Sequence, residues 1–218
     1  MRVLAATFGA AAALVTATSA FALDGQAGAF VAPQISTLGL GVEAGYRIND
    51  HVGVRGSGNF FRLNRSIDVD GIDYSGKATL KSFGATADVF PFGGGFHVSG
   101  GLRLNYNDID LAAAPGGPIT IGGTTYTPAQ AGSLSGKVDF KRVAPYLGIG
   151  WMGSLLSPNL HFGADLGVMF QGSPRVSLQS NSRFVSPADL ERERADIADE
   201  LRPYRFYPVV SVSVGYRF

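Results

Sequence analysis

Six charged side chains stand singly inside segments that are otherwise apolar or rich in glycine, and they are the first candidates for chemistry. Three are carboxylates and three are guanidinium groups, so the two signs of charge are present in equal number. If these segments enclose a common space, the charges must pair, because an unpaired charge removed from water is very costly. The six are Glu43, Arg47, Arg55, Asp88, Arg103 and Asp165.

Three histidines form the second candidate group. His51, His97 and His161 each follow a short turn signal and share the phase of the polar residues in their segments. Imidazole suits zinc or copper, so three rings at one level would make a metal site. The sequence does not set their levels, and polar residues are ordinary at such positions. We therefore expect no metal and no other cofactor.

Alternation of apolar and polar residues is the feature that must position these side chains. In "LHFGADLGVMF", Phe162, Leu166 and Phe170 fall on one phase, and His161 and Asp165 fall on the other. A period of two residues is that of a β-strand. Eight such segments are present, at about 28–36, 38–48, 51–63, 78–90, 95–109, 137–152, 160–172 and 204–218.

The connections between these segments alternate in length. Short links at 49–50, 91–95 and 154–159 take turns with long ones at 64–77, 110–136 and 173–203, and only the short link at 36–38 breaks the order. Short turns at one end and long loops at the other are typical of a bacterial transmembrane β-barrel. The sixth segment changes phase near Lys141 and Arg142, which predicts a bulge.

Two of the long loops contain predicted elements. The stretch "PITIGGTTYTP" predicts a hairpin that turns on Gly122 and Gly123. The stretch "SPADLERERADIADEL" predicts a helix over residues 186–202, with Ser186 as its N-cap and Asp189 completing a capping box. Its apolar face is available to pack on the barrel mouth or on a partner, and comprises Leu190, Ile197, Ala198 and Leu201.

The composition of the two faces decides which of them is outside. The polar faces are rich in glycine and serine with isolated charges of both signs, which suits a narrow, crowded interior. Most segments reach the roughly 9–11 residues that a tilted strand needs to cross a bilayer, and aromatic residues lie toward their ends. We therefore predict an all-β fold: an eight-stranded antiparallel up-and-down transmembrane β-barrel with long extracellular loops, one containing a short helix.

The N-terminus and the composition indicate where such a barrel belongs. Arg2 precedes the apolar run "VLAATFGAAAALV", and "AFA" ends at Ala22, which predicts a signal peptide over residues 1–22 and a barrel domain over 23–218. The chain has no cysteine and a net charge of +1. A disulfide framework and a cysteine nucleophile are therefore excluded, and no nucleic-acid partner is expected.

These features together resemble the small outer-membrane β-barrel proteins of Gram-negative bacteria, the OmpA-like and OmpW-like group. The resemblance covers the whole mature chain and rests on the signal peptide, the eight segments and the terminal "YRF". It implies a location in the outer membrane, with both termini of the mature chain in the periplasm. It also implies that Tyr216 and Phe218 form the terminal aromatic signal read by the barrel-assembly machinery.

The resemblance implies a role that is not enzymatic. Small outer-membrane lipid hydrolases need a base beside a serine at the extracellular side, whereas all three histidines are predicted at the opposite end. The leading prediction is a monomeric protein with a structural and surface-interaction role. A small channel for hydrophobic or small polar solutes and an adhesin that acts through its loops remain alternatives, because the six charges fit either a plug or a narrow gated pore.

Two basic residues are predicted on the apolar face near the extracellular ends of their strands. Arg62 and Lys81 can extend along apolar surface and keep their charges in the polar interface. In a bacterial outer membrane the phosphates of lipopolysaccharide lie at that level. The expected partners are therefore membrane lipid and lipopolysaccharide, with a small solute or a host surface ligand as further options.

Overall fold

The computed structural model describes residues 28–69, 72–154 and 156–218. The predicted signal peptide of residues 1–22 lies outside these ranges. Thirteen strands lie within them: β1 (Gly28–Ser36), β2 (Gly39–Arg47), β3 (Val52–Val69), β4 (Ile72–Val89), β5 (Phe96–Asn105), β6 (Asp108–Pro115), β7 (Ile119–Ile121), β8 (Thr124–Tyr126), β9 (Leu134–Asp139), β10 (Val143–Ser154), β11 (Leu160–Phe170), β12 (Arg175–Ser180) and β13 (Phe206–Arg217). Helices α1 (Pro128–Ala131) and α2 (Pro187–Glu200) and a 3₁₀-helix (Arg202–Arg205) complete this part of the chain.

Eight strands close into an antiparallel barrel. The order around the wall is β1, β2, β3, β4, β5, β10, β11 and β13, and β13 pairs with β1 to close it. Each of the eight predicted segments overlaps one of these strands, and β3, β4 and β10 extend beyond the predicted bounds. The predicted eight-stranded barrel is therefore confirmed. The turn between β1 and β2 has only two residues, as the short link at 36–38 predicts.

The outer wall of the barrel is apolar and open to the surroundings. Leu40, Leu102 and Leu147 are 64%, 57% and 57% exposed. Side chains of the same phase on neighbouring strands extend this surface around the barrel, and a contiguous apolar surface of this size on a closed barrel is what lipid contact requires. Among the residues that the structure describes, no helix is long and apolar enough to cross a membrane.

At the end that carries the long loops, part of the wall continues beyond the barrel. The upper halves of β3 and β4 pair with each other, and β4 then pairs with β6, β6 with β9, and β9 with β12. This five-stranded sheet is called the outer sheet below. The prediction of a loop over 64–77 is wrong, because β3 continues to Val69 and β4 begins at Ile72.

The polarity of the two faces is exchanged between the barrel and the outer sheet. In β5 the buried inward Arg103 is charged and the exposed outward Leu102 is apolar, whereas in β9 the buried inward Val138 is apolar and the exposed outward Lys137 is charged. The pairing register does not change across the interruption at 140–142. Val143 of β10 faces Leu104 of β5 and Asp139 of β9 faces Asp108 of β6, so three residues lie between the pairs on each side. The bulge predicted near Lys141 and Arg142 is therefore wrong. The phase change there marks the transition from a wall with an apolar outer face to one with a polar outer face.

The inner face of the outer sheet is covered by a small cap. The hairpin β7–β8 turns on Gly122 and Gly123, with φ values of +55° and +87° that favour glycine. The hairpin β7–β8, helix α1 and helix α2 are together called the cap below. Their side chains form an apolar core against the inner face of the outer sheet. The core consists of Ile119, Ile121, Tyr126, Ala131, Leu134 and Val185, with Ala113 and Leu190 packed against it.

Helix α2 is held to the hairpin by polar contacts. Ser186 is the N-cap, and its Oγ accepts a hydrogen bond from the Ala188 N–H at 3.2 Å. Asp189 has a different role from the predicted capping box, since its carboxylate accepts a hydrogen bond from the Tyr126 hydroxyl at 2.5 Å. Arg192 donates to the Gly122 carbonyl at 2.5 Å. The helix thus packs on the hairpin β7–β8 of its own chain.

Candidate functional site

The lumen of the barrel is built around one arginine. Arg55 on β3 contacts Asp88 on β4 through Nε at 2.6 Å and Asp165 on β11 at 2.9 Å. Glu43 on β2 lies 3.6 Å away. The side chains of all four residues are less than 10% exposed. A planar guanidinium offers five donors in one fork, so a single arginine can serve carboxylates from three strands.

Three further side chains complete this cluster, and the sequence did not identify them as members of it. His97 Nε2 lies 2.8 Å from Asp165 Oδ1. Ser99 donates to Asp88 at 2.6 Å, and Ser213 donates to Glu43 at 2.6 Å. The sequence pattern indicates His97 as a candidate metal ligand or base and not as a member of an ion-pair cluster. In the sequence, only their inward phase indicates that the two serines lie in the lumen. The register between strands decides which carboxylate each serine contacts.

Arg47 lies outside the ion-pair cluster, which corrects the prediction of a single network of six. Its guanidinium donates to the carbonyls of Gly93 at 2.8 Å, Gly94 at 3.0 Å and Asp50 at 2.8 Å. It also lies over the Phe90 ring, 4.0 Å from its centroid. These partners belong to two short turns, so Arg47 ties the turns together and closes that end of the lumen.

Arg103 also lies outside the cluster. It donates to Asn59 Oδ1 at 2.8 Å and to Ser82 Oγ at 3.2 Å, and its guanidinium lies 5.9 Å from the centroid of the Tyr146 ring. Both of these hydrogen-bond acceptors are neutral. The structure thus brings together Glu43, Arg55, Asp88 and Asp165 from the predicted six.

An apolar plug closes the lumen at the long-loop end. Leu38, in the turn between β1 and β2, is only 1% exposed although its phase predicts an outward position. It packs with Ala144, Tyr146, Met169 and Val209. The turn is held by Thr37, which pairs with Val210 and accepts a hydrogen bond from the Tyr207 hydroxyl on its carbonyl at 2.7 Å. The short first loop therefore places an apolar side chain across the opening.

Between the plug and the ion-pair cluster lies a small polar cavity of about 30 Å³. That volume has room for about two water molecules. Its lining includes side chains of the cluster together with neutral polar groups, among them Gln34, Ser57, Asn59 and Ser211. The lumen is therefore filled in three layers: an apolar plug, the Arg55 cluster, and the Arg47 closure.

The three histidines do not converge. His97 belongs to the Arg55 cluster, and His161 stacks on Phe30 with ring centroids 3.9 Å apart. His51 lies at the exposed end of the turn before β3. Within the described ranges there is no group of three or more histidine or acidic side chains arranged to hold a metal ion.

Comparison with known proteins adds to this geometry at the level of fold. No protein-family model and no curated protein sequence matches the chain. Among solved structures, Acinetobacter baumannii CarO2 superimposes with a TM-score of 0.61 at 24% identity, covering 88% of this chain and 100% of that chain. Acinetobacter baumannii CarO gives 0.60 at 22% identity, covering 87% and 97%. The fold is that of the small outer-membrane β-barrels. A sequence identity of 22–24% supports a shared fold and not a shared activity.

At the long-loop end of the barrel, the apolar outer wall carries basic side chains on aromatic rings. Arg62 lies 5.8 Å from the Phe60 ring centroid. Lys81 lies 5.8 Å from the Phe83 ring and 5.9 Å from the Tyr106 ring. Both charges are exposed on the outward phase. Arg142 is a third basic residue of this kind, and its guanidinium lies 5.8 Å from the centroid of the same Tyr106 ring.

The C-terminal aromatic residues lie at the opposite end of the wall. Tyr216 and Phe218 contact each other edge to face with centroids 5.1 Å apart, and Phe218 is 74% exposed. Asn159, in the turn before β11, donates to the Tyr216 hydroxyl at 3.2 Å. An exposed aromatic pair at the end of the closing strand is accessible to a partner, and its role as an assembly signal stays a prediction.

Proposed function

We propose that this chain is a non-enzymatic outer-membrane barrel, closed to solutes, that acts through the outer sheet and the cap at its extracellular end. The observation that carries the proposal is the filled lumen, which has a plug at Leu38, a charge cluster at Arg55 and a closure at Arg47. Each layer uses contacts from several strands. Such a lumen braces the wall and leaves the extracellular surface as the part available for interaction.

The placement of the histidines supports a role without catalysis. His97 and His161 are both fully buried in the lumen. A serine nucleophile that acts on lipid needs a base at the outer leaflet, and neither buried ring reaches that surface. His97 is moreover engaged with Asp165.

Single-channel recording tests the closed lumen. The folded protein in planar bilayers should give no stepwise conductance, because the cavity of about 30 Å³ is bounded by the plug above and the ion-pair cluster below. An eight-stranded barrel encloses only about enough space for its own side chains. Reproducible openings of the unmodified protein would contradict the proposal, and swelling of loaded liposomes would then identify which solutes pass.

A small channel is the second candidate function, and one observation favours it. The plug is apolar and has few residues, whereas the cavity beneath it is lined by Gln34, Asn59, Ser211 and other polar groups. Displacement of Leu38 would join this cavity to the extracellular side. The recordings above distinguish the two proposals, since a channel must conduct without any substitution.

Adhesion is a more specific form of the surface role. The cap has its own apolar core and a helix with alternating exposed charges, so it is a structured surface rather than a linker. Binding to host cells that is lost on removal of the cap, with the barrel intact on unboiled gels, would support an adhesin. Unchanged binding would assign the interaction to another part of the molecule.

A further inference from the structure

A large groove lies outside the barrel in the described part of the chain. It has a volume of about 780 Å³ and lies on the outward face of the outer sheet. Strands β3, β4, β6, β9 and β12 all contribute to it, and its charged residues are Arg62, Lys77, Asp110 and Lys137. Its other polar residues are Asn64, Ser66, Ser75, Ser135, Ser177 and Gln179.

The groove is continuous with the lipid-facing wall of the barrel. Along β3, the outward positions run from Phe60 to Arg62, Asn64 and Ser66, and consecutive outward positions are about 7 Å apart. Directly opposed residues on neighbouring strands form a row across the sheet. Asn64 faces Lys77, Lys77 faces Asp110, and Asp110 faces Lys137. The groove therefore begins directly above the aromatic and basic level of the wall.

The lining indicates an anionic and hydroxyl-rich ligand. Three basic groups and one carboxylate give a net charge of +2, and Asp110 lies 3.7 Å from Lys137 Nζ. Amide and hydroxyl side chains of asparagine, glutamine and serine both donate and accept hydrogen bonds. Lysine is a point-charge binder of phosphate. The only large apolar side chain in the lining is that of Leu111, so an acyl chain or an apolar peptide does not match it.

We propose that this groove binds the phosphorylated inner saccharide of lipopolysaccharide. The inference rests on the proposed outer-membrane location. In that leaflet the lipid A phosphates lie at the acyl boundary, level with Lys81 and Arg62, and the first sugars lie above them. Lys77 and Lys137 are then placed for saccharide phosphates, and Asn64, Ser177 and Gln179 for hydroxyl groups. Arg62 connects the two levels.

The test compares two lipopolysaccharides, one with its phosphorylated inner-core sugars and one truncated to lipid A with no phosphorylated core. Binding of each to the folded protein in detergent micelles is measured for four proteins. These are the unmodified chain, the groove variant Lys77→Gln/Lys137→Gln, the wall variant Arg62→Gln/Lys81→Gln, and the control Arg194→Gln/Arg202→Gln. The control also removes two positive charges, but from exposed arginines outside the groove. Arg194 pairs with Glu191 and Arg202 pairs with Asp199.

We expect the groove variant to lose roughly tenfold in affinity for the core-bearing lipopolysaccharide, since each lost phosphate contact costs on the order of a few-fold. Its affinity for the truncated form should stay unchanged. The wall variant should weaken binding of both, and the control of neither. Equal binding of the two lipopolysaccharides by the unmodified chain, or an effect of the control as large as that of the groove variant, would overturn the inference.

The outer-membrane proposal is tested separately on the same variants. Cell fractionation and migration on unboiled gels report whether each protein is inserted as a folded barrel. If the unmodified chain is inserted and shows no preference for the core-bearing form, the groove inference fails alone. If the chain is absent from the outer-membrane fraction, both proposals fail.

Discussion

Arg55 and Arg103 face the same lumen but have partners of different kinds. Arg55 contacts three carboxylates, whereas Arg103 contacts the neutral groups of Asn59 and Ser82. Loss of a buried guanidinium leaves its partners without compensation. The cost is much larger when those partners are charged. The two arginines are therefore expected to contribute unequally to stability.

Replacing each arginine by methionine tests this difference. Arg55→Met should lower the free energy of unfolding by about 3–5 kcal/mol, because it leaves buried carboxylates unpaired. Arg103→Met is the matched control and should cost about 1–3 kcal/mol, the penalty for neutral buried groups that lose a partner. Urea unfolding in lipid vesicles, followed by migration on unboiled gels, measures both. An equal or larger loss for Arg103→Met would show that the carboxylates are not held by Arg55.

At the scale of elements, α2 and the hairpin β7–β8 are joined through Tyr126 and Asp189. The hydrogen bond from Tyr126 lowers the pKa of the Asp189 carboxyl below its usual value, and the same bond raises the pKa of the Tyr126 hydroxyl. A carboxyl with a lowered folded pKa stabilises the folded cap above its unfolded pKa of about 4. That stabilisation is lost as the pH falls through the folded pKa. For the tyrosine it is lost above a pH of about 10.

The contact between α2 and the hairpin should consequently be independent of pH between about 5 and 9 and weaken on both sides of this range. NMR contacts between the Tyr126 ring and α2, followed as the pH is lowered, measure the acid side. In Tyr126→Phe the Asp189 pKa returns toward its ordinary value, so the acid loss should begin at a higher pH. An unchanged acid midpoint in this variant would contradict the assigned bond.

At the scale of the whole molecule, the layers of the lumen close the barrel independently. The plug at Leu38 and the closure at Arg47 lie at opposite ends, and the Arg55 cluster lies between them. Because conduction needs a continuous water path, opening one layer leaves two in place. This arrangement distinguishes a braced barrel from a pore with a single gate.

Leu38→Ala should therefore remain closed in planar bilayers although it removes most of the plug side chain. Its free energy of unfolding should fall by about 2–5 kcal/mol, the usual cost of such a truncation in a packed core. Leu40→Ala is the matched control, since Leu40 is 64% exposed on the outer wall and lines no part of the lumen. Stepwise conductance in Leu38→Ala alone would identify the plug as a gate and favour the channel.

Much of the fold was predictable because the physical signal is local. A two-residue period is imposed by the strand backbone, and the exclusion of charge from one face is imposed by lipid, so the eight barrel strands could be read from the chain. The helix at 187–200 and the Gly122–Gly123 turn likewise depend on caps and on backbone conformation at single positions. The prediction of a loop over 64–77 was wrong because the outward positions of β3 and β4 change from apolar to polar in this region. The alternation that marks the barrel strands is therefore lost there.

The amino-acid sequence by itself determined the class of the protein: which phase of each barrel strand is polar, how many strands form the barrel, and which end carries the long loops. Tertiary structure alone decided the partners of Arg47, Arg55 and Arg103, the inward turn of Leu38, and the groove on the outer sheet. The physical reason is that phase is a property of one strand. Partnership depends on the register between strands and on the distance across the closed wall, and neither is written in a single segment.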